Sequence, residues 1–184
     1  PAYVALRLDQ AAALLKRLAK PERNMLIDLI DNESKRDIAM LESFDEDEIG
    51  SRMSMNFIEI KAGISIREAM RELVAQAAEN DNISTLYVTD EQHTFCGAID
   101  LKDLIIAREG SSLDDIIMES YPYVYAREMI EDCIERMKDY SEDSIPVLDE
   151  NNKILGVITA QDIVQVVDDE MGDDYAKLAG LASE

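Results

Sequence analysis

One segment of the chain is repeated, and a constant interval separates the two copies. The first copy spans residues 86–104 and the second spans residues 145–163. Matched positions all lie 59 residues apart: Val88 and Val147, Asp90 and Asp149, Gly97 and Gly156, and Asp103 and Asp162. A fixed offset across two predicted strands and the start of a helix indicates two copies of one supersecondary unit. We therefore expect an internal duplication.

The same order of elements is predicted in both copies. A short β run, at 57–60 or 123–125, leads into an amphipathic helix, two short strands around a polar turn (90–93 or 149–152), and a second helix. The apolar residues of the first helices follow the spacing of one helical face: Ile66, Ala69, Met70, Leu73, Val74 and Ala77 in one copy, and Ile130, Cys133, Ile134 and Met137 in the other. Gly97 and Gly156, inside strands, predict a close approach of backbone or ligand. Each unit is β-α-β-β-α, and the predicted fold class is α/β (α+β).

The charge of the chain excludes several functions. Forty Asp and Glu residues oppose 18 Lys and Arg residues, which gives a formal net charge of −22. Binding to a nucleic-acid backbone or to acidic lipid requires a large cationic face, so we expect neither partner. The 47% hydrophobic content indicates a folded chain with acids on its surface. Hard divalent cations prefer carboxylate oxygen and are the first ligand class that we expect.

Three further sequence features bear on function. The longest apolar stretch, 11–15, is too short to span a membrane, and no signal segment opens the chain. Cys96 and Cys133 have apolar neighbours and are expected to be reduced, buried thiols of a cytosolic protein. His93 lies in a predicted turn without a partner, and no nucleotide-binding loop or nucleophile motif occurs, so we do not expect an enzyme.

A Gly-apolar-apolar-polar-x-x-Asp segment stands at the last strand-to-helix turn of each copy, at 97–103 and 156–162. With the β-α-β-β-α order it resembles the cystathionine-β-synthase (CBS) domain, and the tandem resembles a CBS pair over roughly 50–167. The resemblance implies a site for ATP or AMP, at Thr159 and Asp162 in the second copy and at Lys102 and Asp103 in the first. Asp100 replaces the expected hydroxyl residue, and its carboxylate would repel phosphate. The alternative is that these residues only cap helices.

The flanking segments resemble the MgtE-type magnesium transporters. Residues 11–42 are predicted to form two or three short helices, and 45–54 resembles the acidic segment before the first CBS unit of that family, with departures at Ile49, Arg52 and Ser54. Residues 168–178 resemble the acidic segment that leads to the channel. The predicted domains are therefore the end of a helical domain (1–48), two CBS units (49–108 and 109–167) and the start of a connecting helix (168–184), and we expect the chain to be a fragment.

The MgtE resemblance implies Mg²⁺ at acidic patches between these domains. Carried over position by position, the candidate ligands are Glu131, Asp162, Asp168, Asp169, Glu170, Asp173 and Asp174. Ser141 and Gln165 stand where acids are expected, so we expect at least one ion site to be missing, weakened or displaced onto Glu142 or Asp143. Mg²⁺ keeps several waters and requires only one or two carboxylates, which suits scattered acids. The alternative is a solvated acidic surface. The acidic run 45–48 does not fit a calcium loop, and we expect a solvated helix end there.

These observations predict an Mg²⁺-sensing cytosolic regulatory region of a magnesium transporter. The resemblance implies a homodimer formed through the CBS pairs and a transmembrane domain in the same chain, with the regulatory region at the cytoplasmic face of the membrane. A rival class is an adenine-nucleotide-sensing CBS module that regulates an attached enzyme or another channel. A third is a passive dimerisation scaffold, which would respond to neither ligand.

Overall fold

The computed structural model describes residues 7–138, 141–178 and 180. Three helices come first: α1 (Leu8–Lys16), α2 (Lys20–Asp28) and α3 (Asn32–Glu42). The first copy consists of β1 (Ile58–Lys61), α4 (Ile66–Ala77), β2 (Thr85–Thr89), β3 (Phe95–Asp100) and α5 (Leu101–Ile106). The second consists of β4 (Val124–Tyr125), α6 (Ile130–Lys138), β5 (Ser144–Leu148), β6 (Ile154–Thr159) and α7 (Ala160–Leu178). The predicted α/β class and the duplicated β-α-β-β-α order are confirmed. Residues 1–6, 179 and 181–184 of the predicted outer domains lie outside this description.

The two copies form matching three-stranded sheets. In each sheet the middle strand runs parallel to the first and antiparallel to the third, in the orders β1-β2-β3 and β4-β5-β6. Val88 pairs with Gly97 and Val147 pairs with Gly156, and the register shifts directly after each pair. The repeat in the sequence is therefore a repeat of strand register.

The sheets are tied together by an exchange of backbone bridges. Ser54, before the first copy, bridges Val157 of β6, and Met118, before the second, bridges Ala98 of β3. These bridges explain why glycine occupies positions 97 and 156 in the strands. A Cβ at Gly97 would lie 2.5 Å from the Met118 oxygen, and one at Gly156 would lie 2.8 Å from the Ser54 oxygen. The predicted close approach is confirmed, and the approaching group is the other copy's backbone.

The N-terminal helices share a core with the second copy. Ala12 and Leu15 of α1 and Ile38 of α3 are buried in the same cluster as Ile130 of α6 and Val166 of α7. By contrast, α2 has no buried residue, and Leu29 after its end is 82% exposed. The hydrophobic interface therefore places α1 beside the beginning of α7.

The two amphipathic helices bury most of the predicted faces. In α6, Ile130, Cys133 and Met137 are buried. In α4, which begins with a reciprocal cap between Ser65 and Glu68, Ile66, Ala69 and Leu73 are buried. Val74 departs from the prediction because it is 66% exposed. A helical stripe with six apolar positions is wider than the surface that the sheet covers.

Two expectations about single residues are wrong in part. Cys133 is buried, but Cys96 is exposed, since successive strand residues point to opposite faces and the preceding Phe95 packs against Tyr87. His93 is exposed as expected but has partners: its Nδ1 lies 2.9 Å from Glu59 Oε1. Across the described ranges, none of the helices has the length and apolar content needed to cross a membrane.

Candidate functional site

Acids from separate parts of the chain converge on one cavity, which we call the α1–α7 cavity. It measures about 500 Å³ and lies between α1, the segment 46–52 and the later turns of α7. Its charged lining comprises six carboxylates and three basic groups: Asp9, Glu46, Asp47, Asp169, Glu170 and Asp173, with Lys16, Arg17 and Arg52. The cavity is therefore net anionic but already holds cationic side chains.

Helical geometry divides the predicted acids of α7. Asp169 and Asp173 are four residues apart and share a face, and Glu170 lies about 100° from Asp169 around the axis. All three line the cavity. Asp168 and Asp174 do not line it; both are exposed, as is Asp173. The structure thus brings together three of the five predicted acids of this run.

Asp169 is held by two neighbours. An Arg52 guanidinium nitrogen lies 2.8 Å from its Oδ2, and Gln165 Nε2 donates to its Oδ1 at 2.9 Å. Partial burial raises the pKa of Asp169, but the contacts with Arg52 and Gln165 outweigh burial and lower it. Gln165, which replaces an expected acid, therefore orients a neighbouring carboxylate.

Asp162 lies apart from this cavity, in the first turn of α7, and is only 8% exposed. Its Oδ2 accepts from the Thr159 backbone N–H at 3.1 Å, and its own N–H donates to Thr159 Oγ1 at 3.2 Å. The alternative of a helix cap is therefore confirmed for this pair. Its Oδ1 accepts from Arg7 Nη1, so both carboxylate oxygens are engaged.

The remaining predicted metal ligands lie outside the lining of the α1–α7 cavity. Glu131 is exposed in the first turn of α6. Asp143 is exposed and lines a second, larger cavity, whereas Glu142 is half-buried. No set of three or more His, Cys, Asp or Glu side chains within 7–138, 141–178 and 180 is arranged to hold a metal ion directly. Any ion here must retain much of its hydration shell.

The second cavity, of about 1520 Å³, lies between the start of α3, the end of α4 and the start of α7. Thr159 lines it, as expected for the nucleotide cleft of the second copy. However, eight carboxylates also line it: Asp9, Asp31, Glu33, Asp37, Glu59, Glu79, Asp81 and Asp143. Arg7 is the one Lys or Arg in the described lining, so the potential there opposes phosphate.

The predicted nucleotide residues of the first copy are differently placed. Lys102 is exposed and Asp103 is half-buried in the first turn of α5. Asp100 precedes the helix but makes no side-chain capping hydrogen bond, so the capping alternative is wrong for that residue. Lys102 therefore presents an accessible positive charge at this turn.

Several residues of the site were not predicted. Asp9 and Arg7 carry no sequence signal that links them to α7. Arg52 was visible only as a departure from the family pattern. The acidic run 45–48 was expected to be solvated, yet Glu48 is 7% exposed and pairs with Arg127 at 3.3 Å. A buried carboxylate in such a run needs a distant partner, which the local sequence does not reveal.

The fold and the duplicated register define the class of the protein. Residues 47–110 and 113–169 match the CBS domain, and the chain belongs to that family. It is also 33% identical over 153 residues to the magnesium transporter MgtE of Enterococcus faecalis, covering 83% of this chain and 34% of that protein. The chain thus spans about a third of that relative.

Two solved structures are similar at the level of the fold and the sequence. The soluble part of a magnesium transporter has a TM-score of 0.82 and 31% identity, covering 90% of this chain and 64% of that one. The cytosolic domain of the Mg²⁺ channel MgtE in complex with ATP has a TM-score of 0.80 and 29% identity, covering 88% and 66%. Both similar structures are thus soluble or cytosolic parts of magnesium transporters or channels.

Proposed function

We propose that the chain is the Mg²⁺-responsive cytosolic regulatory region of a magnesium transporter. The observation that carries the proposal is the convergence of α7 acids with acids of α1 and of the segment 46–52 on the α1–α7 cavity. An ion held there with its water shell lies beside three parts of the chain at once. Binding therefore favours the arrangement in which α7 lies against the N-terminal helices.

The donor set suits a hydrated Mg²⁺ ion. Mg²⁺ prefers oxygen ligands, retains several waters and takes one or two carboxylates, which Glu170 and Asp173 supply. A cavity of about 500 Å³ has room for the ion with its water shell. The excess of carboxylates over basic groups makes entry of a divalent cation favourable and leaves mutual repulsion when the ion is absent.

The energy that such a switch requires is modest. Shifting a two-state equilibrium from about 1:99 to 99:1 takes about 5.5 kcal/mol. Four sites that each favour the compact state about tenfold supply it together, so no single site needs to bind tightly. The exposed acids Glu131, Asp168 and Asp174 fit this distributed scheme as weak sites. In the full protein we propose a homodimer through the CBS pairs, with α7 continuing towards a membrane domain at the cytoplasmic face.

The test compares protection from proteolysis and hydrodynamic radius with and without millimolar Mg²⁺ at matched ionic strength. We expect Mg²⁺ to slow cleavage and reduce the radius of the wild-type chain. The variant Glu170→Gln/Asp173→Asn should lose most of the response. The matched control Asp114→Asn/Asp115→Asn neutralises two exposed acids that do not line the α1–α7 cavity and should respond normally. A wild-type chain that does not respond refutes the proposal.

The second candidate function is adenine-nucleotide sensing, which the solved ATP complex of a similar domain favours. Here the exposed Lys102, with Asp103 beside it, would serve the first-copy cleft. Thermal shift with ATP or AMP in the absence of divalent ions tests it, because a nucleotide sensor would be stabilised and Lys102→Gln would weaken the effect. A passive scaffold would respond neither to nucleotide nor to Mg²⁺.

A further inference from the structure

A single guanidinium group joins the start of α1 to the start of α7. Arg7 Nε donates to Asp9 Oδ1 at 3.0 Å, and Arg7 Nη1 donates to Asp162 Oδ1. The side chains of Asp9 and Asp162 are 14% and 9% exposed, whereas that of Arg7 is 38% exposed. The two carboxylates are thus buried on either side of one cation.

These two carboxylates would destabilise the contact if the cation were absent. Burial raises the pKa of Asp9 more than Arg7 lowers it, because removing a carboxylate from water disfavours its charged form. Asp162 is fixed in place by its cap with Thr159 and cannot turn towards solvent without breaking that cap. The hydrophobic core around Ala12 and Val166 holds the two helices close beside this charge cluster.

The guanidinium group is suited to this position. Its planar fork donates from separate nitrogens to two acceptors, and it stays protonated at any physiological pH. Burial alone would lower the pKa of Arg7, yet its hydrogen bonds with Asp162 and Asp9 raise it above the ordinary value. One side-chain cation therefore offsets the repulsion between two elements that are far apart in sequence.

We infer that Arg7 is a resident cation, which does at Asp9 and Asp162 what a bridging divalent ion would otherwise do. The attachment of α1 to the first turn of α7 is then independent of Mg²⁺. The ion response is confined to the later turns of α7, at the α1–α7 cavity. This second part rests on the proposed function, whereas the role of Arg7 at the first turn does not.

A resident cation and an ordinary ion pair make different predictions. If Arg7 only contributes an ion pair, Arg7→Gln loosens the contact and Mg²⁺ does not restore it. If Arg7 occupies the position of a bridging ion, its removal leaves two facing carboxylates that a divalent ion can bridge. The variant should therefore acquire a dependence on Mg²⁺ that the wild-type chain lacks at this contact.

The experiment is hydrogen exchange of the amides at the start of α7, residues 160–166, which lie outside the lining of the α1–α7 cavity, measured in EDTA and in millimolar Mg²⁺ at matched ionic strength. The wild-type chain should be protected equally in both. In Arg7→Gln these amides should exchange about tenfold faster in EDTA than in the wild-type chain, and Mg²⁺ should restore their protection. The expected loss of protection is no larger than this because the guanidinium is partly exposed. Arg7→Gln/Asp9→Asn keeps the Thr159 cap but has one carboxylate fewer, and its protection should not respond to Mg²⁺.

Controls separate this inference from loss of folding and from failure of the proposed function. Arg108→Gln removes an exposed arginine after α5 and should match the wild-type chain, and β2 and β5 should stay protected in every variant. Arg7→Gln protection equal to wild type in EDTA overturns the inference, and so does a loss that Mg²⁺ cannot restore. Absence of an Mg²⁺ effect on residues 168–174 of the wild-type chain refutes the proposed sensor instead.

Discussion

If the α1–α7 cavity holds Mg²⁺ as proposed, Arg52 competes with the ion for its carboxylates, and Arg52→Gln should increase the sensitivity of the chain to Mg²⁺. The Arg52–Asp169 contact is 2.8 Å long, with side chains that are 32% and 41% exposed. An exposed pair of this kind contributes about 0.5 kcal/mol. Breaking it frees Asp169 for the ion and leaves six carboxylates against two basic groups around the cavity.

A second contribution comes from removing a positive charge near a divalent ion. At about 8 Å in water, repulsion between charges of +1 and +2 is about 1 kcal/mol, and physiological salt screens it to about half. The sum is about 1 kcal/mol, which corresponds to a roughly fivefold lower Mg²⁺ midpoint. Titrating protease protection against Mg²⁺ measures this midpoint.

The charge-preserving variant Arg52→Lys serves as the control and should keep its midpoint within about twofold of the wild-type value. An unchanged or higher midpoint in Arg52→Gln, with the fold intact by circular dichroism, would refute competition at this site. It would mean that Arg52 supports α7 packing rather than opposing the ion.

Three other predictions concern stability and reactivity. Gly156→Ala should lower the free energy of unfolding by about 1–3 kcal/mol, measured by thermal unfolding, because its Cβ would lie 2.8 Å from the Ser54 backbone oxygen. Gly172→Ala, in open space on α7, should raise it by up to about 1 kcal/mol. Equal effects of the two substitutions would contradict the bridge geometry. Asp37→Asn should raise the melting temperature slightly at neutral pH, because burial and neighbouring carboxylates raise the pKa of Asp37. That gain should vanish as the pH falls through the raised pKa, since the wild-type group is then neutral; a gain that persists in acid would exclude charge as the cause. Thiol reagents should label Cys96 in the native chain but Cys133 only after unfolding, since burial raises the pKa of Cys133 to about 11; equal labelling rates would contradict the assigned burial.

The fold could be predicted to a large extent because its signal is periodic and local. The offset between Val88 and Val147 fixes equivalent strands, and the structure repeats even the register of their pairing with Gly97 and Gly156. Burial of single side chains was less predictable. Cys96 has apolar neighbours, yet it faces outward because the strand alternates and Phe95 takes the inward position.

The candidate site could be predicted only in part. Helical spacing alone would separate Asp169 and Asp173 from Asp168, but it does not show that Asp9 faces them across a cavity. A cap between Asp162 and Thr159, three residues away, was the alternative to a ligand role for Asp162, whereas its ion pair with Arg7, 155 residues away, was not predicted. Contacts between distant parts of a chain depend on which helices share a core.

The sequence by itself determined the duplication, the class of fold and the excess of acid. Repeats and helical faces are set by residues close together in the chain, and net charge is a sum over all residues. Only the tertiary structure decided where the charges meet. By packing both α1 and the segment 49–53 against the second copy, it places Arg7 and Arg52 beside carboxylates of α7. Electrostatic energy depends on distance in space, so the packing of the helices, and not the order of residues in the chain, decides which carboxylates of α7 lie beside an arginine.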